Sequence, residues 1–472
     1  MAAVAFAPPP QYSVSRRFSA RPAQVPQTAG PMTTTFSIPA APTMAPSVDA
    51  PPPSYTCRRR RDTISALPRR EPVEHVYPLV DGRSRAWAIL RVFSSAKSSK
   101  SLPTFYEGED VKGRLELELE KGESIQAITV SLTGRIITGS GSSDSHTFLN
   151  DTHTLWSKSS SSNGSRTPSP TGGSGKLQGA CSWPFSLALP STVRLPFSSA
   201  RGQTVVCPLP ETFNERGVRA VVQYDITLKV VRGKLRADNT ITTAFGYVPS
   251  SRPQPPSMLR QLAYQEGCPL PGPEVDPEGW QILPPFVARG VVFSARMAEA
   301  RCHLAIAKPL SYTRGTVIPC SLSMDSRDSQ ALDLLSQSRS IAVVLRRLVR
   351  YFSGSTNKDL IEDVGRAIWW PTLDGRGDEF IRYLEGEIPL AKDLKPSCNV
   401  AHFSISYFVT VCPFDSTGFA SSDSDSLLSE PVEIASMHAK GPKPRSCAPP
   451  SYVASRQADA QHSTLRRRPT MA

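Results

Sequence analysis

Period-two alternation of apolar and polar positions dominates the middle of the chain. Leu115, Leu117 and Leu119 alternate with Glu116, Glu118 and Glu120. An extended backbone puts the leucines on one face and the carboxylates on the other, as in a half-buried antiparallel strand. Ile128, Val130 and Leu132 repeat the pattern after the Lys121-Gly122 break, and Val222, Tyr224, Ile226, Leu228 and Val230 repeat it again. Phe403, Ile405, Tyr407, Val409 and Val411 do the same in a second block. Helical periodicity is nearly absent: Leu332, Leu335 and the run Ile341 to Tyr351 are the candidates, and the run also alternates, so it reads as a strand. Many short strands in two blocks, separated by Pro and Gly turns, predict an all-β fold of two β-sandwiches.

Three kinds of segment break this pattern. Residues 1–84 are rich in Pro, Ala, Ser, Thr and Arg without either period, and read as a disordered tail that cannot offset its ordering entropy. The Ser/Gly-rich stretch 157–175 interrupts the first strand block (85–250) and reads as a disordered surface loop. The Pro-rich stretch 251–284 reads as the linker to the second block, 285–436, and from residue 437 to 472 the tail composition returns.

Charge follows the same division. The net +13 resolves into +5 over residues 1–80, +6 over residues 437–472 and +2 in between. A near-neutral middle between basic ends argues against a nucleic-acid-binding fold. No stretch approaches the roughly 18 apolar residues of a membrane span, and the opening residues, broken by Pro8, Pro9 and Pro10, fit neither a secretory signal nor an amphipathic transit peptide. Nine scattered cysteines without a Cys-x-x-Cys pair suggest reduced thiols in a cytoplasmic protein, and seven histidines without ligand spacing imply no metal site. No nucleophile elbow, phosphate loop, dinucleotide fingerprint or zinc-hydrolase run is present, so the chain reads as a non-enzyme without cofactors.

The chemistry lies instead in three tetrapeptides of one form: Pro9-Pro10-Gln11-Tyr12, Pro52-Pro53-Ser54-Tyr55 and Pro449-Pro450-Ser451-Tyr452. Consecutive prolines pre-set the polyproline II conformation, so docking loses little entropy. A proline stacks in an aromatic groove and the tyrosine fills a second pocket, which is the WW-domain mode of recognition. With 45 prolines and 12 tyrosines in 472 residues, chance would place about 0.1 such tetrapeptides in the chain. The residues expected to bind WW domains are therefore Pro9, Pro10, Tyr12, Pro52, Pro53, Tyr55, Pro449, Pro450 and Tyr452.

Longer strings carry a resemblance. Phe105 to Gly113 (Phe-Tyr-Glu-Gly-Glu-Asp-Val-Lys-Gly), Val130 to Arg135, Leu155-Trp156, Cys181 to Pro190 and Val222 to Ile226 resemble, in order, segments of the arrestin N-domain, and Tyr312 to Pro319 resembles a turn of the arrestin C-domain. Together with Pro-Pro-x-Tyr tails they resemble the α-arrestins, or arrestin-related trafficking adaptors. The resemblance implies two arrestin-like, immunoglobulin-like sandwiches with disordered N- and C-terminal tails. It also implies an adaptor that recruits a WW-domain HECT-type ubiquitin ligase to plasma-membrane transporters or receptors, which are then ubiquitinated, endocytosed and sorted. The location implied is cytoplasmic, peripheral to plasma membrane and endosomes. The alternative is an arrestin-like signalling scaffold, for example in a pH-sensing receptor complex. Two of the tetrapeptides precede the fold, unlike the more familiar C-terminal placement, and no phosphate-sensing polar core maps onto the sequence residue by residue.

The tails also carry regulatory candidates. Ser19, Thr63 and Thr470 each lie two residues beyond a basic pair, and Thr167 and Ser169 each precede a proline, so these five are the candidate phosphorylation sites. The run Arg58 to Arg61 is a solvated charge run in its plainest reading, and an anionic-lipid contact or a nuclear address in its sharper one. Lysine is scarce, 14 against 40 arginines, and Lys440 and Lys443, just before Pro449, are the candidate ubiquitin acceptors.

Overall fold

The alternation is realised strand by strand in the computed structural model, which describes residues 71–139, 144–158, 176–196, 204–233, 236–353, 356–372, 378–400 and 402–452. In the strand Asp110–Glu123 the leucines at 115, 117 and 119 are buried while Glu118 and Glu120 face solvent. Each leucine removed from water contributes about 1.5–3 kcal/mol. The outward carboxylates pair across strands instead: Arg91 Nε donates to Glu116 (2.9 Å), Arg91 Nη1 to Glu74 (2.8 Å), and Arg85 pairs with Glu120. Such exposed pairs fix register more than they stabilise.

Two sheets make the first sandwich. One runs in the order Val73–Val80, Ala86–Ser94, Asp110–Glu123, Leu177–Ala188, all antiparallel. The other runs Thr104–Tyr106, Asn239–Val248, Val221–Arg232, Ile125–Ile137, Ser145–Ser157. Ala88, Leu90 and Leu115 from the first sheet and Val130, Leu132 and Ile226 from the second are fully buried in a shared core. Phe105, Phe148, Tyr224 and Phe245 add edge-to-face and tilted ring contacts with centroids 5.4–5.5 Å apart, and the Tyr224 hydroxyl donates to the Pro210 carbonyl at 2.7 Å. A buried tyrosine thus keeps its polar end satisfied.

The second sandwich repeats this plan. Its sheets are Ile368–Pro371, Ile381–Pro389, Val317–Asp325, Arg296–Ala307, Phe286–Val292, Phe419–Ser421, and Ser311–Thr313, Leu428–Ala435, Phe403–Val411, Val343–Ser353, Thr356–Arg366. The alternating run read from Ile341 to Tyr351 is a strand, Val343–Ser353, paired with Phe403–Val411 on one side and Thr356–Arg366 on the other.

The structure departs from the sequence reading at four places. Val73–Val80, expected within the 1–84 tail, is the edge strand of the first sandwich. Its inward positions are His75, Tyr77 and Leu79, and Pro78 sits in its middle; only an edge strand tolerates a missing amide there. The 251–284 linker contains the helix Met258–Glu266, capped by Ser257 and ended by Gly267 in the left-handed region (φ 72°), and the strand Trp280–Ile282. One buried residue of that helix is Arg260, so the apolar period was not visible. The helical candidates Leu332 and Leu335 do lie on a helix, Ser329–Leu335, but the strands Thr356–Arg366 and Ile368–Pro371 form where the sequence shows no period, the first of them being mostly exposed on both faces as befits an edge. Residues 437–452, expected within the tail, run along the second sandwich and its linker helix.

Candidate functional site

The tetrapeptides at Pro9 to Tyr12 and Pro52 to Tyr55, and the hydroxyls of Ser19, Thr63, Thr167, Ser169 and Thr470, lie outside the described residues. The third tetrapeptide is described, and so is the path that leads to it.

That path starts at the end of the strand Leu428–Ala435. The Met437 amide donates to the Ser251 carbonyl (2.9 Å) and the Ser436 amide to Ser251 Oγ (3.0 Å). Thr313 Oγ1 donates to the Met437 carbonyl at 2.9 Å, and Arg252 to that of His438. Lys440 and Lys443 are then exposed. Farther on, Glu387 on the strand Ile381–Pro389, only 3% exposed, receives the Ser446 hydroxyl on one carboxylate oxygen and the Cys447 amide on the other (2.9 Å). A buried carboxylate needs such donors.

At the tetrapeptide itself the Tyr452 amide donates to the Pro449 carbonyl at 3.0 Å, closing a helical turn that begins at Pro450. Polyproline II has no internal hydrogen bonds. The expected conformation of this motif is therefore not the one it adopts on the molecule, and Pro450 and Ser451 are exposed while Pro449 and Tyr452 are half-buried.

The linker helix supports this segment. Arg260, 1% exposed, donates to the carbonyls of Lys308 (2.7 Å) and Gly279 (2.6 Å) and lies 4.9 Å from the Trp280 ring centroid. Burial lowers its pKa, yet two carbonyls and an aromatic face stand in for water around the guanidinium. Anchored this way, the helix presents Tyr264, whose phenol burial pushes up to about 12, to the neighbourhood of Cys447 and Glu387.

A second polar constellation joins the sandwiches. Glu211, 9% exposed, accepts from Arg314 Nη1 (2.9 Å) and Lys395 Nζ (2.9 Å), and Lys395 also donates to the Thr212 carbonyl (2.9 Å). Arg347 donates bidentately to Glu215 (3.1 and 2.5 Å) and pairs with Glu362. Hydrogen bonds to carboxylates hold this guanidinium above its usual range against the desolvation that lowers it. Around this cluster Phe213 and Phe403 pack at 5.1 Å between ring centroids, His146 and His402 meet edge to face at 5.1 Å, and Ser353 Oγ donates to the Thr138 carbonyl at 3.2 Å.

Two of the strings that resemble a family acquire physical roles here. Gly108 takes φ 84°, and the Glu109 side chain closes the same turn by accepting from the Tyr106 amide at 2.9 Å. In Tyr312 to Pro319 the turn residue Gly315 has φ 79°, and its neighbour Arg314 reaches Glu211. The sequence reading missed Glu211, Glu215, Arg347, Lys395, Glu387 and Ser446. None sits in a motif, and only their partners from distant segments distinguish them from ordinary surface charge.

Little in the described residues is arranged for bond-making chemistry. Burial pushes the thiols of Cys302 and Cys398 up to about 12, and that of Cys320 higher still, so these cysteines stay protonated and pack as small apolar groups. No cluster of three or more His, Cys, Asp or Glu stands ready for a metal ion among the described residues, and no described helix is long and apolar enough to cross a membrane.

Residues 95–249, most of the first sandwich, match the family model for the arrestin (or S-antigen) N-terminal domain. No curated protein matches the chain. The family match and the sheet topology together make the fold all-β, two arrestin-like β-sandwiches in succession.

Proposed function

We propose that this chain is a non-enzymatic adaptor of the α-arrestin type. Its sandwiches select membrane transporters or receptors, and its Pro-Pro-x-Tyr tetrapeptides recruit a HECT-type ubiquitin ligase through WW domains, so that the cargo is ubiquitinated and internalised. The observation that carries this reading is the combination of three such tetrapeptides with an arrestin-type fold on one chain. A single tetrapeptide binds weakly, but several facing several WW domains raise avidity by about 10²- to 10⁴-fold. The adaptor would work in the cytoplasm at the inner face of the plasma membrane and endosomes, where the Arg58 to Arg61 run can meet anionic lipid. Lys440 and Lys443, exposed within ten residues of Pro449, are the acceptors a docked ligase would reach.

The test is a pull-down of the full chain on the WW domains of such a ligase, wild type against the triple variant Tyr12→Ala, Tyr55→Ala, Tyr452→Ala. Loss of capture in the variant supports the adaptor, and undiminished capture removes it. Deletion that leaves cargo at the plasma membrane unchanged but abolishes a signalling output would replace it with the scaffold.

A further inference from the structure

The third tetrapeptide is held by an anchor that a single modification can break. Ser446 and Cys447 dock on Glu387, and three residues later Pro449 to Tyr452 fold into a hydrogen-bonded turn. Recognition in a WW groove needs the prolines extended. The docked form must therefore open before this motif can be used, and the energy of the Ser446–Cys447 anchor subtracts from its affinity for a WW domain.

We propose that Ser446 is a phosphorylation site whose modification releases the segment 446–452 and so exposes the third tetrapeptide; the consequence for ligase recruitment rests on the adaptor reading above. The residue is exposed, and Lys443 and Arg445 precede it by three and by one, the basic context that a basophilic kinase reads. Oγ of Ser446 attacks the γ-phosphorus of a nucleoside triphosphate. The O–P bond to the leaving diphosphate breaks, a new Oγ–P bond forms, and the hydroxyl proton leaves to the kinase's base. That proton is the one Ser446 donates to Glu387 in the docked form. The product puts about −1.5 to −2 charges where a donor was, against a carboxylate with almost no access to water. Repulsion between the two anions, together with the lost hydrogen bond, favours departure of the segment. Glu387 then gains water in place of Ser446 and Cys447, while Lys443 and Arg445 are free to pair with the phosphate in the open form.

The proposal is tested on the full chain carrying Tyr12→Ala and Tyr55→Ala, so that only the third tetrapeptide reports. Affinity for one isolated WW domain is measured with Ser446 unmodified, with phosphoserine incorporated at 446, and with Ser446→Asp. A synthetic peptide spanning residues 444–456 serves as the unmasked reference. We expect the unmodified chain to bind about tenfold more weakly than the peptide, a difference of about 1.4 kcal/mol, and the phosphorylated chain to reach the peptide's affinity, with Ser446→Asp in between. Hydrogen exchange at the Cys447 and Tyr452 amides should quicken in the same order. An unmodified chain that binds as tightly as the peptide, or phosphorylation that changes neither affinity nor exchange, overturns the proposal. A peptide that fails to bind defeats the docking reading for this motif alone, and release by Ser446 then stands or falls on the exchange of the Cys447 amide.

Discussion

His146 and His402 stack edge to face across the two sandwiches, and the Phe352 ring centroid lies 5.3 Å from that of His402. Desolvation, then the nearby His402, lower the pKa of His146, whose Nε2 is buried without a partner. His75 and His438 are lowered too, chiefly by burial. A base whose folded pKa lies below its unfolded one binds more protons when unfolded, so its contribution is intact above about pH 6.5 and is lost as pH falls below that value. The denaturation midpoint should drop between about pH 7.5 and about pH 5.5, and His146→Phe, which keeps the ring contact without the charge, should shrink that drop. An undiminished drop in the variant would remove His146 as its source. Arg347 offers a second prediction. Glu215→Ala leaves a guanidinium that is almost fully buried with Glu362 as its remaining anion, which should cost about 3 kcal/mol in chemical denaturation. Adding Arg347→Met should recover most of that loss, because the buried charge itself is then gone.

Among the elements, the edge strand Val73–Val80 and the close crossing at Gly113 are the most informative. The strand covers the hydrogen-bonding edge of Ala86–Ser94 along its whole length. A chain shortened to begin at Gly82 should lose stability in the first sandwich and associate through the bared edge, measurable as a lower melting midpoint and a larger species in size-exclusion chromatography. At Gly113 a Cβ would lie 2.6 Å from the Arg91 carbonyl oxygen and 2.3 Å from the Phe185 ring. Gly113→Ala must therefore push paired strands apart, and should cost about 1–3 kcal/mol. Sequence reading succeeded best for elements of this kind. Asp110–Glu123, Val221–Arg232 and Phe403–Val411 alternate cleanly because one face meets core and the other water. It failed for Val73–Val80 and Thr356–Arg366, edge strands with too few buried apolar positions to show a period, and for Met258–Glu266, whose buried face includes an arginine.

For the molecule as a whole, the decisive contact is the one between the sandwiches. Glu211 takes two cations from the second sandwich and holds them at 2.9 Å each. Glu211→Ala leaves Arg314 and Lys395, both largely buried, without their shared anion, and should cost about 3–5 kcal/mol at the interface rather than within either core. Calorimetry should then show an unfolding endotherm broader than that of the wild type, or split in two, as the sandwiches lose their coupling. One transition of unchanged width would show that packing such as Phe213 on Phe403 suffices.

By itself the sequence determined that the chain makes two blocks of antiparallel strands, because alternation is a local property that the pleat imposes residue by residue. It also determined the three Pro-Pro-x-Tyr tetrapeptides, whose chemistry is contained in four consecutive side chains. Only the tertiary structure decided that Glu211 and Glu215 face Arg314, Lys395 and Arg347, and that Glu387 receives Ser446 and Cys447. Those pairs lie 59 to 184 residues apart in the chain. A lone polar residue in a strand or loop reads as solvated surface until folding brings its partner and removes the water between them.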